Sequence, residues 1–127
     1  MSDTLTRDIR IQVQPEYLPE QSDPAAERYL FAYHVRISNQ GRETVRLLSR
    51  RWEITDGRGD VEEVTGDGVV GLQPTIEPGE SFDYSSGCPL TTPVGTMHGH
   101  YVMQAESGER FNAMIGVFRL AAPGSLH

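Results

Sequence analysis

A period of two in the apolar residues, repeated in short segments, constrains the fold of this chain more than any other feature. It is clearest where Phe31, Tyr33, Val35 and Ile37 alternate with polar or small residues. Successive side chains of a β-strand point to opposite faces, so the pattern predicts a strand with one buried face. No stretch long enough for a helix keeps a helical period free of glycine and proline. The sequence therefore predicts an all-β protein.

Similar segments follow one another roughly every ten residues and are separated by turn signals. They lie at residues 9–13, 31–37, 45–54, 61–65, 68–72, 81–84, 97–103 and 111–120. The alternation changes phase at Leu48, which predicts a β-bulge, and a second bulge is expected near Gly116. Seven or eight short strands favour an immunoglobulin- or fibronectin type III-like sandwich of two antiparallel sheets, with a barrel as the alternative.

The first predicted strand, at residues 9–13, is expected to form an exposed sheet edge that could pair with another chain. Pro15 should end this strand or confine it to an edge, because proline lacks the N–H that a sheet ladder needs. Residues 22–27 are compatible with one helical turn that has Asp23 as its cap and Pro24 at its first position.

Length and composition indicate one domain, residues 1–127, large enough to bury roughly two-thirds of its unfolded surface. The only cysteine, Cys88, cannot form an internal disulfide, which fits a protein of the reducing cytoplasm. No apolar run approaches the ~20 residues that span a bilayer, so no membrane association is expected. The net charge of −7 argues against general affinity for nucleic acid, because phosphates attract basic surfaces.

Opposite charges are concentrated in two neighbouring segments. Residues 28–51 contain six arginines and one acid, whereas residues 53–83 contain nine acids and one arginine. The arginines are expected to alternate outward along two strands and to pair with the acidic segment. A local anion-binding face is the alternative.

Several motifs resemble one family over nearly the whole chain. They are Glu27–Tyr33, Trp52–Gly57, Gly66–Pro74, Pro78–Phe82, Tyr84–Gly87, Gly95–Tyr101 and Phe118–Leu120. On these motifs the chain is identified as a member of the ApaG family. The resemblance implies a fibronectin type III-like sandwich and a small bacterial cytosolic protein from a family without an established biochemical activity.

The same resemblance carries two functional implications. The family is linked to cobalt and magnesium resistance, and is named after a gene neighbour that hydrolyses diadenosine tetraphosphate. Similar domains occur in eukaryotic F-box proteins and in a polymerase-interacting protein. The resemblance therefore implies a module for protein–protein interaction.

Gly66, Gly68 and Gly71 match the spacing G-x-G-x-x-G, in which glycines let the backbone approach a pyrophosphate at the start of a helix. The prolines that follow Gly71 prevent such a helix. Asp67 adds a negative charge, and no arginine lies between Gly59 and Glu109 to offset it. The favoured interpretation is a tight strand connection with positive φ angles. A nucleotide or pyrophosphate loop and a protein-contact loop are the alternatives.

His98 and His100 are two residues apart, so on a strand both imidazoles leave the same face. Two such histidines supply half of a zinc, cobalt or nickel site. A third ligand would have to come from a distant carboxylate or from His34. Magnesium prefers oxygen ligands, which the acidic segment offers more readily. Ordinary strand surface is the favoured interpretation of both histidines.

No nucleophile or acid–base pair forms a catalytic arrangement in the sequence, and Cys88 is expected to be a buried or unreactive thiol. We therefore expect a small cytosolic, non-enzymatic binding module that acts on a protein partner and needs no cofactor. The alternative is a protein that responds to a small ligand, namely nucleotide polyphosphate, pyrophosphate, or a divalent cation such as magnesium or cobalt.

Overall fold

The structure, a computed structural model, describes residues 1–124 and contains nine β-strands in that range. They are β1 (Ser2–Thr6), β2 (Ile9–Tyr17), β3 (Tyr29–Asn39), β4 (Val45–Asp56), β5 (Val61–Asp67), β6 (Thr75–Ile76), β7 (Ser81–Leu90), β8 (Val94–Ala105) and β9 (Arg110–Ala121). Two 3-10 turns lie at Pro19–Gln21 and Pro24–Ala26. No helix in residues 1–124 has the length and apolar character needed to cross a membrane.

The strands form two antiparallel sheets, which confirms the predicted sandwich. The first sheet has the order β1-β2-β3-β7, and the second has the order β5-β4-β8-β9 with the short β6 also paired to β4. One apolar core fills the space between them. The predicted alternation holds in β3, where Phe31, Tyr33, Val35 and Ile37 are all buried.

Aromatic rings occupy the centre of this core. Trp52 is packed edge-on against Tyr33, Tyr101 and Phe118, with ring centroids 5.2, 6.3 and 5.9 Å away. The hydroxyls of Tyr84 and Tyr101 form a buried hydrogen bond between the two sheets. Edge-on packing suits the quadrupoles of aromatic rings, so this cluster stabilises the contact between the sheets.

Both predicted bulges are present. In β4 the register with β8 shifts between Leu47 and Ser49. In β9 two residues, Gly116 and Val117, lie opposite the single residue His98 of β8. The first bulge reverses the faces of β4, so Trp52 is buried although it is out of phase with Leu47.

The expected free edge at residues 9–13 is wrong, because β1 pairs with β2 along that whole segment. The apolar pattern of the sequence does not indicate β1, because its apolar residue, Leu5, is exposed and its inward residues are polar. Thr4 Oγ1 donates to the Met114 carbonyl of β9 at 2.6 Å, and the Met114 N–H donates to Thr6 Oγ1 at 3.2 Å. Main-chain pairing with β2 and threonine hydroxyls, rather than apolar side chains, therefore hold this edge strand.

Of three smaller expectations, two are confirmed in part and one is wrong. β2 continues through Pro15, which lies beyond the end of β1 and so needs no partner on that side. The short helical turn is present at Pro24–Ala26, but the side chain of Asp23 makes no capping hydrogen bond. Residues 68–72 form a tight turn and not a strand.

Candidate functional site

The glycine motif ends in a four-residue reverse turn, which we call the Val69–Leu72 turn. The Val69 N–H donates to the Leu72 carbonyl, and the Leu72 N–H donates to the Val69 carbonyl, both at 2.8 Å. The two central residues, Val70 and Gly71, have φ angles of 44° and 80°. Two positive φ angles in succession are typical of a type I′ hairpin turn.

Each glycine of the motif has its own structural reason. Gly68 has a φ of +61°, and a side chain there would also collide with the Leu72 carbonyl. Gly71 needs only its positive φ, because no atom lies near its missing Cβ. Gly66 is in β5, where a Cβ would lie 2.7 Å from Nη2 of Arg50. The prediction of positive φ angles is thus confirmed for Gly68 and Gly71, whereas Gly66 allows the close approach of a side chain.

The expectation that no arginine offsets the negative charge of Asp67 is wrong, because the fold brings an arginine from another strand to the glycines. Arg50 comes from β4, and its Nη1 donates to the carbonyls of Asp67 at 3.0 Å and Gly68 at 2.9 Å. The contact forms because β4 and β5 pair in antiparallel register, which places Arg50 opposite Gly66. The two residues are 16 positions apart in the sequence, so the sequence alone did not indicate the contact. The guanidinium therefore binds the main chain of the loop and fixes its position.

Other contacts fasten the loop to the core. The Gly68 N–H donates to the Leu48 carbonyl at 2.8 Å, and Gln73 Nε2 donates to the same carbonyl at 2.9 Å. The Val69 side chain is 1% exposed and belongs to the core. The loop is therefore held rigidly from both sides of its tip.

The loop lacks the geometry of a dinucleotide-binding motif. After Gly71 the chain continues through the extended segment to β6, and no helix follows in the described residues. A phosphate in such a motif lies on the N–H groups of a helix start. Here the carbonyls of Asp67 and Gly68 converge on Arg50 instead.

The tip of the turn carries two exposed apolar side chains. Val70 is 55% exposed and Leu72 is 53% exposed. A β-branched residue at positive φ is a genuine outlier, and such strain costs on the order of 1–3 kcal/mol. The prediction of a strand at residues 68–72 missed one signal for the turn in the sequence. The Val70-Gly71 pair occupies the two central positions, where a type I′ turn prefers Asn-Gly.

His98 and His100 project from the same outer face of the second sheet, as their spacing predicted. Nε2 of His98 lies 3.5 Å from Oε2 of Glu53 on the neighbouring strand. Burial lowers the pKa of His100, and the nearby Arg51 guanidinium lowers it further. Residues 1–124 contain no group of three histidine, cysteine or acidic side chains placed to hold a metal ion.

His34 cannot join these two histidines, because it projects from the outer face of the other sheet. Its Nδ1 is 2.6 Å from Ser85 Oγ and its Nε2 is 2.8 Å from Glu16 Oε1. His34 as the third metal ligand is therefore wrong. His34 instead links the three neighbouring strands β2, β3 and β7 on an exposed surface.

The expected pairing of the arginines with the acidic segment is confirmed for Arg36 and Arg51. Arg36 binds Asp83 through two hydrogen bonds of 2.9 and 3.0 Å. Arg51 binds Glu63 in the same bidentate way at 3.1 and 3.0 Å. Arg46 binds Gln73 instead of an acid. Arg50 binds loop carbonyls, because the bulge in β4 turns it toward the interior face.

Cys88 is buried, as expected. Burial raises the pKa of its thiol to about 11, and the charge of Glu62 acts in the same direction. At neutral pH the sulfur is therefore protonated, and a protonated thiol is a poor nucleophile.

Comparison with known proteins gives a consistent result. A sequence model described as the ApaG domain matches residues 19–105. Protein ApaG of Sinorhizobium fredii is 55% identical over 120 residues, which are 94% of this chain and 92% of that protein. Protein ApaG of Dechloromonas aromatica is 54% identical over 127 residues, which are 100% of both chains. The crystal structure of a Bordetella pertussis protein described as ApaA is 52% identical, covers 92% of this chain and 95% of that chain, and has a TM-score of 0.90.

Proposed function

The chain belongs to the ApaG family, and we propose that it is a non-enzymatic protein-interaction module that docks through the Val69–Leu72 turn. The observation that carries the proposal is Val70, an exposed apolar residue held at a φ of 44°. We place the module in the cytoplasm, in keeping with a single buried cysteine.

The strain at Val70 has no structural benefit within the domain. Asparagine or glycine would adopt the same backbone conformation at lower cost. The core contact of this turn is made by its neighbour Val69, so Val70 is not needed for packing. Strained residues persist where they serve a function, and an exposed apolar side chain serves contact with another protein.

Rigidity makes the turn suited to docking. Arg50 and Gln73 fasten its two ends to the main chain, and Val69 fixes it to the core. A preorganised loop loses little conformational entropy on binding, so even two apolar side chains can contribute usefully to affinity. The partner surface that complements them is a small apolar pocket.

The test compares Val70→Asn with Val117→Asn, since Val117 is also an exposed valine, at 61%, but lies on β9. Wild-type and variant proteins are immobilised, bound proteins from the lysate of the producing organism are identified, and each purified candidate is then titrated. We expect Val70→Asn to stabilise the fold by about 1 kcal/mol while weakening partner binding at least tenfold. Val117→Asn should keep the partner.

The combination of greater stability and weaker binding separates a docking role from simple misfolding. A partner retained equally by wild type and Val70→Asn would overturn the proposal. So would the absence of any partner that binds the purified wild-type protein in a saturable way.

Binding of nucleotide polyphosphate or pyrophosphate is the second candidate function, and Arg50 is the observation that favours it. Its guanidinium lies at the glycines and would attract an anion. The experiment is a titration with ATP, pyrophosphate, Mg²⁺ and Co²⁺, followed through the backbone amides of residues 66–71 and the rings of His98 and His100. Because Arg50 already binds two carbonyls, we expect these signals to stay unmoved at millimolar ligand. Saturable shifts would favour ligand or metal binding over docking.

A further inference from the structure

The two sides of the sandwich are closed differently. On one side β1 and β2 pack against β9, and Thr4 bonds the main chain of Met114. On the other side β5 and β7 are the terminal strands of their sheets. The inward positions of β5 are poorly covered there, since Glu62 is exposed and Val64 is only half-buried. The core is therefore open between β5 and β7.

A cleft of about 240 Å³ occupies this opening. Trp52, Ile54 and Val64 line it from the second sheet, and Ser86 and Cys88 line it from β7. The Trp52 indole N–H is buried and has no hydrogen-bond partner in the described part of the chain. Leaving a buried donor unpaired carries an energetic cost.

The ends of the cleft carry opposite charges. Arg50 and Ile54 occupy the inward positions of β4 on either side of Trp52, and Glu62 pairs with Ile54. Arg50 lies at the end near Ser86. Glu62 lies at the other end, where it also lines a second cavity of about 200 Å³ together with Asp60 and Leu90. The middle of the cleft is apolar.

The edge of β7 is available along this opening. In residues 1–124 β7 pairs only with β3, so its other side presents main-chain N–H and C=O groups without a strand partner. Such an edge is a template for an added strand. Pro89, near the end of β7, removes one donor and is tolerated at a sheet edge.

We propose that an extended segment of a partner protein adds antiparallel to β7, with a basic, an apolar and an acidic side chain at alternate positions in the cleft. Alternate residues of a strand face the same side, which fits three contacts in a row. Antiparallel addition places the amino end of the segment near Leu90, so its basic residue meets Glu62. Its acidic residue meets Nε and Nη2 of Arg50, which the two loop carbonyls do not use. This surface is separate from the Val69–Leu72 turn and goes beyond the docking proposed for it.

The test uses a capped seven-residue peptide with arginine, leucine and glutamate at its second, fourth and sixth positions and threonine elsewhere. Binding to the full chain is measured by titration of backbone amide signals. Two further peptides are N-methylated, one at its even positions and one at its odd positions. Because only one set of amides can face β7, we expect one methylated peptide to lose at least tenfold in affinity and the other to bind normally.

Matched protein variants locate the peptide. Val64→Arg fills the cleft and should abolish binding, whereas Thr65→Arg, on the exposed face of the same strand, should not. Hydrogen exchange of amides in residues 81–88 should slow when the peptide is bound. Val70→Asn should bind the peptide as well as wild type does, so the two proposals fail or succeed separately.

Three results would overturn this inference. The first is no saturable binding of the peptide at millimolar concentration. The second is equal binding of both methylated peptides, since that excludes a main-chain ladder. The third is tighter binding of a peptide in which arginine and glutamate are exchanged, since that reverses the proposed direction.

Discussion

The side chain of Arg50 contributes both to the glycine loop and to the cleft between β5 and β7. It occupies an inward position of β4, yet its guanidinium reaches across Gly66 to two carbonyls of the glycine loop. One residue therefore holds the Val69–Leu72 turn in place and marks one end of the cleft between β5 and β7.

Gly68 allows a direct test of the turn at the level of single residues. Gly68→Ala introduces both strain at a φ of +61° and a collision with the Leu72 carbonyl. Gly59→Ala is the matched control, because Gly59 has a φ of +87° but open space around it. We expect Gly59→Ala to cost about 1 kcal/mol and Gly68→Ala about 3 kcal/mol or more in urea unfolding. Equal costs would mean that the turn relaxes freely around residue 68.

Among the strands, β1 illustrates an edge strand that does not depend on apolar packing. Its threonine hydroxyls bond the main chain of β9, and Asp3 pairs with Arg10 at 2.6 Å. These contacts close one side of the sandwich and cover the main chain of β2. The protein thus protects on one side the kind of edge that β7 leaves open on the other.

Removal of β1 should therefore change the association state. A chain lacking residues 2–6 would expose the edge of β2 at Ile9–Val13, which is long and flanked by apolar residues. We expect concentration-dependent dimers or larger species in light scattering, because a free edge pairs with other chains. Asp3→Ser, which breaks only the pair with Arg10, is the control and should behave as the intact protein does. A truncated chain that stays monomeric at high concentration would contradict this role of β1.

In the molecule as a whole, the core contains several acidic hydroxyl and thiol groups held in their neutral form. Burial raises the pKa of Tyr33, Tyr84 and Tyr101, and raises that of Cys88 to about 11 from an ordinary value of 9.0. The folded chain therefore keeps protons that the unfolded chain releases in alkali. A group of this kind stabilises the fold fully below its unfolded pKa, and the contribution is lost as the pH rises toward the folded pKa.

Stability should consequently fall above about pH 9. Each such group contributes a slope on the order of 1 kcal/mol per pH unit between its two pKa values. The measurement is the free energy of unfolding in urea at pH 7, 9, 10 and 10.5. Cys88→Ala should flatten the curve between pH 9 and 10, before the tyrosines of the unfolded chain ionise. An unfolding free energy that stays constant from pH 7 to 10.5 would contradict the assignment of these buried groups.

Features that depend on neighbours along the chain were predictable from the sequence. Alternation in β3, the phase change at Leu48 and the second bulge near Gly116 all follow from the period of two within a strand. The pairing of Arg36 and Arg51 with acids follows from the separation of charges along the chain. The positive φ of Gly68 and Gly71 follows from turn chemistry. Together they indicate the all-β sandwich before any pairing between strands is known.

Contacts between residues distant in the chain required the folded structure. It brings Arg50 to the glycines, separates His34 from His98 and His100 onto opposite faces, and adds the polar strand β1 as a cover for β2. Strand order and register set these contacts, and a period of two is compatible with many orders and registers. The open side between β5 and β7 has the same origin, because which strand ends a sheet is fixed by pairing between strands and not by any one strand's sequence.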